Sequence, residues 1–469
     1  MLRPVFSLAI LCLLTNCTRG TDRPPNIILI LLDDLGKEWV SCYGATNIKT
    51  PNVDRIAREG MRFKNAYSMP QCTPSRACLL TGQYPWRNGW INHWDVPRWG
   101  KGCHFDPNHN LSFARLLRHH GYRTCAAGKW QINDFRIAPE VMREHGFDQY
   151  CMWTGYEKGN PASGQRYWDP YIHTSRGSRS YDAEFGDEVF TQFVLDFLKT
   201  HQKQPMLIYY PMCLPHGPLT TTPTQRHVTT AKEKHRAMVR YTDQMLGRIL
   251  NALNDLKLAE ETILIWTTDN GTARGISGQR NGRTVRGAKG QSNEAGVCQP
   301  FIVYGPGRVP TGVVTDALVD FSDLFPTFID LANTPLPDNT IIDGKSFAPL
   351  ILGHADDSPR EWIMAMGGQP GRFDQIQQRV APQVEFRDRV IRDKRFKLRI
   401  DKRRQTTELY DLEQDPTEST NLIHSVDANV LAARKKLESI VDTFPAKDGW
   451  PRYDPIYLNE KNASRQIPD

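Results

Sequence analysis

No Cys-x-x-Cys pair occurs in this sequence. Its ten cysteines are scattered over 469 residues, which excludes a disulfide-built scaffold and a zinc ribbon. No Lys/Arg run suggests DNA binding either, so a nucleic-acid partner is not expected although the net charge is +7. Beyond the N-terminus no stretch is apolar for long enough to span a bilayer, and a mean hydropathy of −0.53 excludes a polytopic membrane protein. A Walker-type phosphate loop and a Gly-x-Ser-x-Gly elbow are both missing, which argues against nucleotide and serine hydrolases. Repeats and low-complexity tracts are absent. What remains is the composition of a globular enzyme, 39% hydrophobic and 24% charged, at a length that favours one large packed unit and one smaller.

The N-terminus indicates a compartment. Arg3 precedes an apolar run from Val5 to Leu14, of signal-peptide length and too short to cross a membrane, so residues 1–20 are expected to be a secretory signal. Leu14-Thr15-Asn16-Cys17 loosely resembles a bacterial lipoprotein processing site. A secreted or periplasmic chain follows, with lipid anchoring through Cys17 as the variant of that reading.

Three continuous apolar runs, Ile27 to Leu32, Met206 to Tyr210 and Thr262 to Thr267, have the character of parallel strands covered on both faces. Helical patterns lie between them. Thr50-Pro51 opens one that carries Val53, Ile56 and Ala57 and stops at Gly60; another runs from Phe113 to His120 and stops at Gly121. Strands alternating with helices predict an α/β layered sheet. From about residue 366 a smaller α+β domain is expected. There Phe396, Leu398 and Ile400 alternate with Lys397 and Arg399 as in a half-exposed strand, followed by a helix with Val430, Ala433, Leu437 and Ile440 on one face. The division is thus a signal over 1–20, a catalytic domain over 21–365 and a C-terminal domain over 366–469.

Candidate chemistry begins where strands stop. Asp33 and Asp34 follow the first run, and Asp269 and Asn270 follow the third; ligands sit at the carboxyl ends of strands in open α/β sheets, so the two pairs can share one crevice. Three carboxylates and an amide oxygen are hard ligands suited to Ca²⁺ or Mg²⁺. Either pair alone is an ordinary strand-end turn. The stretch Cys72 to Gly82 reads as a helix with Thr73 as N-cap and Pro74 at its first position, leaving Cys72 just outside the N-terminus, where free N–H groups favour an anion. Arg76 in the first turn can add a guanidinium to the same site.

These residues resemble a known family. Cys72-x-Pro74-Ser75-Arg76 followed by Leu79-Leu80-Thr81-Gly82 is similar to the signature of type I sulfatases of the alkaline-phosphatase superfamily, in which the Cys becomes Cα-formylglycine. Asp33-Asp34, Asp269-Asn270, Gly121 to Trp130, Pro215-His216-Gly217-Pro218, Lys289 with Glu294, and Glu408 to Leu422 match the family's other segments in order. The resemblance implies a large mixed, mostly parallel sheet sandwiched by helices, with an antiparallel sheet in the C-terminal domain. It also implies one divalent cation, Ca²⁺ ahead of Mg²⁺, held by Asp33, Asp34, Asp269, Asn270 and the modified Cys72. A hydroxyl of the hydrated formylglycine attacks sulfur and releases the alcohol, and the second hydroxyl then expels sulfate. His216 protonates the leaving oxygen as a group of pKa near 6.5, Lys129 and Lys289 offset charge on the sulfuryl oxygens, and Arg76 supports the formylglycine. A formylglycine-generating or anaerobic sulfatase-maturating enzyme is the implied partner.

The chain departs from the pattern where the family usually has His after Lys-Trp and this sequence has Gln131, which hydrogen-bonds but carries no proton, so activity with an altered pH dependence is expected. A usual Arg is missing from Glu294-Ala295-Gly296-Val297-Cys298-Gln299-Pro300, and Gln71 is a smaller deviation. Between Gly271 and Gln291 there is no acid, but Arg274, Arg280, Arg283, Arg286 and Lys289 lie among six glycines, a flexible cationic loop able to hold a polyanion or simply to face water. Trp86, Trp90, His93, Trp94 and Trp99 read as core rather than a sugar wall, His119 and His120 as caps of a helix dipole, and the Asn270-Gly271-Thr272 sequon as unglycosylated. The leading reading is a sulfatase acting on a sulfated carbohydrate or aryl sulfate. A phosphate- or phosphonate-ester hydrolase of the same superfamily and a silent sulfated-glycan-binding protein are the alternatives.

Overall fold

A computed structural model describes residues 23–91, 104–157, 159–367, 372–374, 379–381 and 384–454. The expected signal segment with Cys17 lies outside the described residues, as do His93, Trp94 and Trp99.

The strands in chain order are β1 (Asn26–Leu32), β2 (Met61–Tyr67), β3 (Arg123–Lys129), β4 (Gln149–Trp153), β5 (Tyr171–Thr174), β6 (Gly177–Ser180), β7 (Met206–Pro211), β8 (Thr262–Thr268), β9 (Ser277–Arg280), β10 (Arg283–Arg286), β11 (Cys298–Tyr304) and β12 (Val313–Asp320). Ten of them form one mixed sheet in the order β12-β2-β11-β8-β1-β7-β3-β4-β5-β6. The three runs legible in the sequence are its centre: β1 pairs in parallel with β7 and with β8, Ile28 lying opposite both Ile208 and Leu264. β11 joins β8 and β2 antiparallel, and β5 and β6 close the far edge antiparallel.

The alternation along β1 shows why its sequence is apolar throughout. Ile27, Leu29 and Leu31 enter the core on one side of the sheet, Ile28, Ile30 and Leu32 the core on the other, and all six are fully buried. One side is covered by α1 (Pro51–Arg58) and the helices Gly186–His201 and Ala231–Asp255; the other by α2 (Cys72–Thr81) and the helices Phe113–His119 and Leu324–Leu331. Pro51 opens α1 after Thr50, and Gly121, at φ +87, follows the end of the Phe113–His119 helix in a conformation glycine adopts without steric cost. No helix among the described residues is long and apolar enough to cross a membrane.

Past residue 360 a separate four-stranded antiparallel sheet has the order β13 (Ile363–Met366), β16 (Arg389–Arg392), β17 (Phe396–Ile400), β18 (Thr406–Asp411), with a two-stranded ribbon of β14 (Arg372–Asp374) and β15 (Arg379–Ala381) between β13 and β16 in the chain. The helix Ala428–Val441 packs on it through Leu437 and Val441. The expectation of a half-exposed β17 is corrected here. Leu398 and Ile400 enter the large core, but Lys397 is also buried, 1% exposed, because its face of the strand turns to the large sheet and meets Glu294 at 3.2 Å and Glu418 at 2.8 Å. Period-two alternation distinguishes the two faces of a strand; it does not say whether the polar one meets water or an ion pair.

Candidate active site

The carboxyl ends of β1, β3 and β8 and the start of α2 meet at one point. Asp33 and Asp34 continue β1. The backbone N–H of Asp269, past the end of β8, donates to Leu32 O at 3.0 Å, and the N–H of Asp34 donates to Asp269 Oδ1 at 3.2 Å, so the two strand ends are locked side by side. Asp34 adopts φ 65, a left-handed backbone that Asp tolerates better than most residues.

Helix α2 starts two residues earlier than its sequence suggests. Gln71 is the N-cap, extended at φ −142 and ψ 156, and its carbonyl accepts the first intrahelical bond from Ser75 N at 3.2 Å. Thr73 and Pro74 are therefore the second and third helical residues, positions where a missing N–H still costs nothing. Cys72 occupies the first turn, and its Sγ lies 3.4 Å from Asp33 Oδ1 and 3.8 Å from Asp34 Oδ1. Ligand atoms of Asp33, Asp34, Cys72 and His216 all fall within 4.8 Å of one another.

Two lysines close this cluster. Lys129, at the end of β3, places Nζ 2.6 Å from Asp33 Oδ2, and Lys289 places Nζ 2.7 Å from Asp34 Oδ1 and 3.2 Å from Cys72 Sγ. Arg76 does not point a free fork at an anion, as its position in the first turn suggested. Its Nε and Nη2 both donate to Asp269 Oδ2, at 3.2 and 2.7 Å, and Nη1 donates to Lys129 O at 3.1 Å, so it braces α2 against β8 and β3. A forked donor neutralises whichever buried carboxylate lies within reach.

Burial raises the Asp33 carboxyl, but Lys129, His216, Arg76 and Lys289 outweigh it and hold the group well below its ordinary value. Asp269 shows the opposite balance: burial, then the charge of Asp33, pushes it up to about 7 against the pull of Arg76. Burial and Asp269 raise the Cys72 thiol, which is therefore protonated and a poor nucleophile as it stands. His216 departs from expectation too. Burial and the neighbouring Lys289 press it down to about 3, so the ring is neutral near pH 7 and can offer only a neutral N–H. Its Nε2 is 3.6 Å from Asp34 Oδ2.

The residues present suit a hard cation. Asn270 donates from Nδ2 to Asp34 Oδ1 at 2.7 Å, and its Oδ1 is buried with no hydrogen-bond partner. A half-turn of the amide exchanges these atoms, so Asn270 can supply either a donor or a hard oxygen beside the carboxylates. Asp33, Asp34 and Asp269 bring three carboxylates at most 2% exposed, hard oxygen donors of the kind a divalent cation takes.

Gln131 lies two residues beyond Lys129 on a left-handed backbone, φ 63, and packs beside Gly155, where a Cβ would stand 3.4 Å from its Cγ. Cys298, which stands at the position of the missing family Arg, accepts from Lys37 Nζ at 3.0 Å, and Lys37 also donates to Lys64 O at 2.8 Å. The expected flexible loop after Asn270 is instead a regular hairpin of β9 and β10. Trp86 and Trp90 are core residues, His120 Nδ1 lies 2.9 Å from Leu116 O at its helix end, and Asn270 is fully buried, which leaves no room for a glycan.

Sequence reasoning missed Arg166. It is 3% exposed, its guanidinium lies 3.8 Å from the centre of the Trp153 ring, and its Nη1 is 3.1 Å from His216 Nδ1. Tyr167 beside it donates to His216 O at 2.5 Å and Cys213 O at 2.8 Å, fixing the turn that carries His216. Gln165-Arg166-Tyr167 has no pattern of its own; only tertiary proximity reveals the pair.

Comparison with known proteins adds the following. The family model described as sulfatase matches residues 25–334, and that described as N-sulphoglucosamine sulphohydrolase, C-terminal, matches residues 289–443. N-acetylgalactosamine-6-sulfatase of Canis lupus familiaris is 33% identical over 363 residues, 71% of this chain and 67% of that protein. Arylsulfatase A of Homo sapiens is 32% identical over 373 residues, 74% of this chain and 71% of that protein. Among solved structures, Ps i-CgsB in complex with k-i-k-neocarrahexaose superposes with a TM-score of 0.74 at 23% identity, covering 92% of this chain and 95% of that one.

Proposed function

The chain belongs to the sulfatase family and is a sulfuric ester hydrolase, and from that premise we propose that it removes sulfate from a sulfated carbohydrate using Cys72 oxidised to Cα-formylglycine and one Ca²⁺. The observation that carries this reading is the convergence of Asp33, Asp34, Cys72 and His216 within 4.8 Å, with Lys129 and Lys289 on the same carboxylates. The carbohydrate rests on the relative named for an N-acetylgalactosamine 6-sulfate.

Asp33, Asp34, Asp269 and Asn270 would hold the cation, which would supply positive charge to offset that of the sulfate. Lys289 and Lys129 draw the sulfuryl oxygens against the start of α2 and meet the charge that grows on them in the transition state. Arg76 pulls Asp269 toward its ionised form and ties α2 to β8. His216 presents its ring at the mouth of the cluster; burial first and Lys289 second depress its basicity, so near pH 7 it meets the leaving oxygen with a neutral N–H. Residues 1–20 export the chain, and a maturating enzyme oxidises Cys72 along the way.

Mass spectrometry of the peptide containing residue 72, with turnover of defined sulfated saccharides by native and Cys72→Ala protein, tests the proposal. An aldehyde at 72 and turnover lost in the variant are expected. A plain thiol in fully active protein overturns the mechanism, and equal or better turnover of the matched phosphate ester overturns the substrate class.

A further inference from the structure

The segment from Asn270 to Lys289 leaves the cluster and returns to it, and its charge is one-sided. Arg274, Arg280, Arg283, Arg286 and Lys289 meet no acid within it, in a chain whose whole net charge is +7. Among the described residues none of the four arginines pairs with a carboxylate. Arg274 Nε donates to Lys289 O at 2.9 Å and Arg280 Nε to Tyr43 O at 2.9 Å, so both guanidinium groups are oriented by backbone carbonyls. Glu38, packed beneath Gly278, takes the Thr272 hydroxyl at 2.5 Å and is buried.

The hairpin itself is well ordered by hydrogen bonds: Gly287 N donates to Ile276 O at 2.8 Å, and Thr46 N to Gln279 O at 3.1 Å. Its register puts Arg283 directly across from Arg280. Like charges in directly opposed positions destabilise a two-stranded ribbon, and among the described residues neither arginine forms an ion pair with a carboxylate. Arg283 and Arg286 are exposed. A hydrogen-bonded ribbon of arginines without ion pairs, followed three residues on by Lys289 whose Nζ is 3.2 Å from Cys72 Sγ, is a surface suited to a polyanion that continues into the site.

We propose that the β9–β10 hairpin binds the uncleaved, multiply sulfated part of a polysaccharide whose terminal sulfate enters the site, so that the substrate is a polyanionic chain and not an isolated sulfated sugar. This rests on the sulfatase reading for its substrate. A sulfated glycan is favoured over a nucleic acid because the segment that carries the hairpin begins and ends at residues of the cluster, Asn270 and Lys289.

The test uses the full-length protein with Arg283→Gln and Arg286→Gln together, both clear of Lys289. Salt-gradient retention on immobilised dextran sulfate and on single-stranded DNA is measured, along with KM and kcat for a sulfated polysaccharide and a small aryl sulfate. Elution from dextran sulfate at lower salt and about a tenfold rise in KM for the polysaccharide are expected, with aryl sulfate kinetics unchanged. Unchanged retention and KM mean a solvated face and overturn the proposal. Equal losses on both substrates overturn it as well, because the hairpin then only braces the site, and so does tighter retention of native protein on DNA than on dextran sulfate. If no sulfate ester is turned over, the activity reading fails, and lowered dextran sulfate retention in the variant still supports this surface.

Discussion

Lys289 Nζ stands 3.2 Å from Cys72 Sγ and 2.7 Å from Asp34 Oδ1, so one ammonium group bridges the candidate nucleophile and a candidate metal ligand that are 38 residues apart in the chain. Lys289→Met removes that charge at similar length. The proposed role in transition-state stabilisation predicts a kcat on an aryl sulfate lower by about 10²–10³ with KM little altered. A kcat within threefold of native would remove Lys289 from the mechanism.

Three buried carboxylates against an unpartnered amide oxygen predict that a chelator destabilises the protein. Added Ca²⁺ at about 100 times its Kd should restore about 2.7 kcal/mol of stability, read as a rise in Tm that Mg²⁺ matches only at higher concentration. Asn270→Ala should weaken the Ca²⁺ dependence of Tm. A Tm indifferent to both chelator and Ca²⁺ would count against a cation here.

Acid sensitivity should come from histidines outside the cluster. His235 is buried against Trp39, ring centres 4.4 Å apart, and burial lowers its pKa to about 4; His145 is likewise held at about 4 and His104 at about 3. Unfolded chains bind these protons near 6.5, so the unfolded state takes up more protons as pH falls from there. The contribution of these three histidines to stability therefore rises with pH between about 4 and 6.5 and is constant above. In His235→Phe the slope of Tm against pH over that window should become shallower; an unchanged slope would assign the acid lability elsewhere.

Lys397 and Arg392 neutralise Glu294 at the joint between the two sheets, and burial of Glu294 is outweighed by these cations, which hold its pKa far below the ordinary value. Lys397→Met leaves Glu294 and Glu418 facing each other with one cation fewer. A loss of about 3 kcal/mol in denaturant unfolding is expected, and a loss under 1 kcal/mol would show that the joint is not held by charge.

Gln131 stands where relatives of the resembled family carry a titratable ring. Gln131→His should add a limb to the pH profile of kcat that the native enzyme lacks. Superimposable profiles would place the side chain out of reach of the reacting atoms.

Much of the site was legible because its residues sit at strand ends, and strands announce themselves by composition. Asp33, Asp34, Asp269 and Asn270 could be placed together once β1 and β8 were recognised as parallel neighbours. The partner of Arg76 could not: the motif supplied a guanidinium in a first turn, and only packing put Asp269 rather than an anion within its reach. His216 shows the same limit. Its ordinary pKa follows from residue type, but the depression to about 3 depends on burial and on Lys289, 73 positions away.

Alone, the sequence determined which segments become central strands, since six consecutive apolar residues can be buried only when both faces of a sheet are covered. It also determined which functional groups stand at their ends. Tertiary structure decided the charge state and orientation of those groups, the ordered hairpin in place of a loop, and the burial of Lys397. Those outcomes depend on distances of a few ångströms between segments remote in the chain, and local propensity carries no information about such distances.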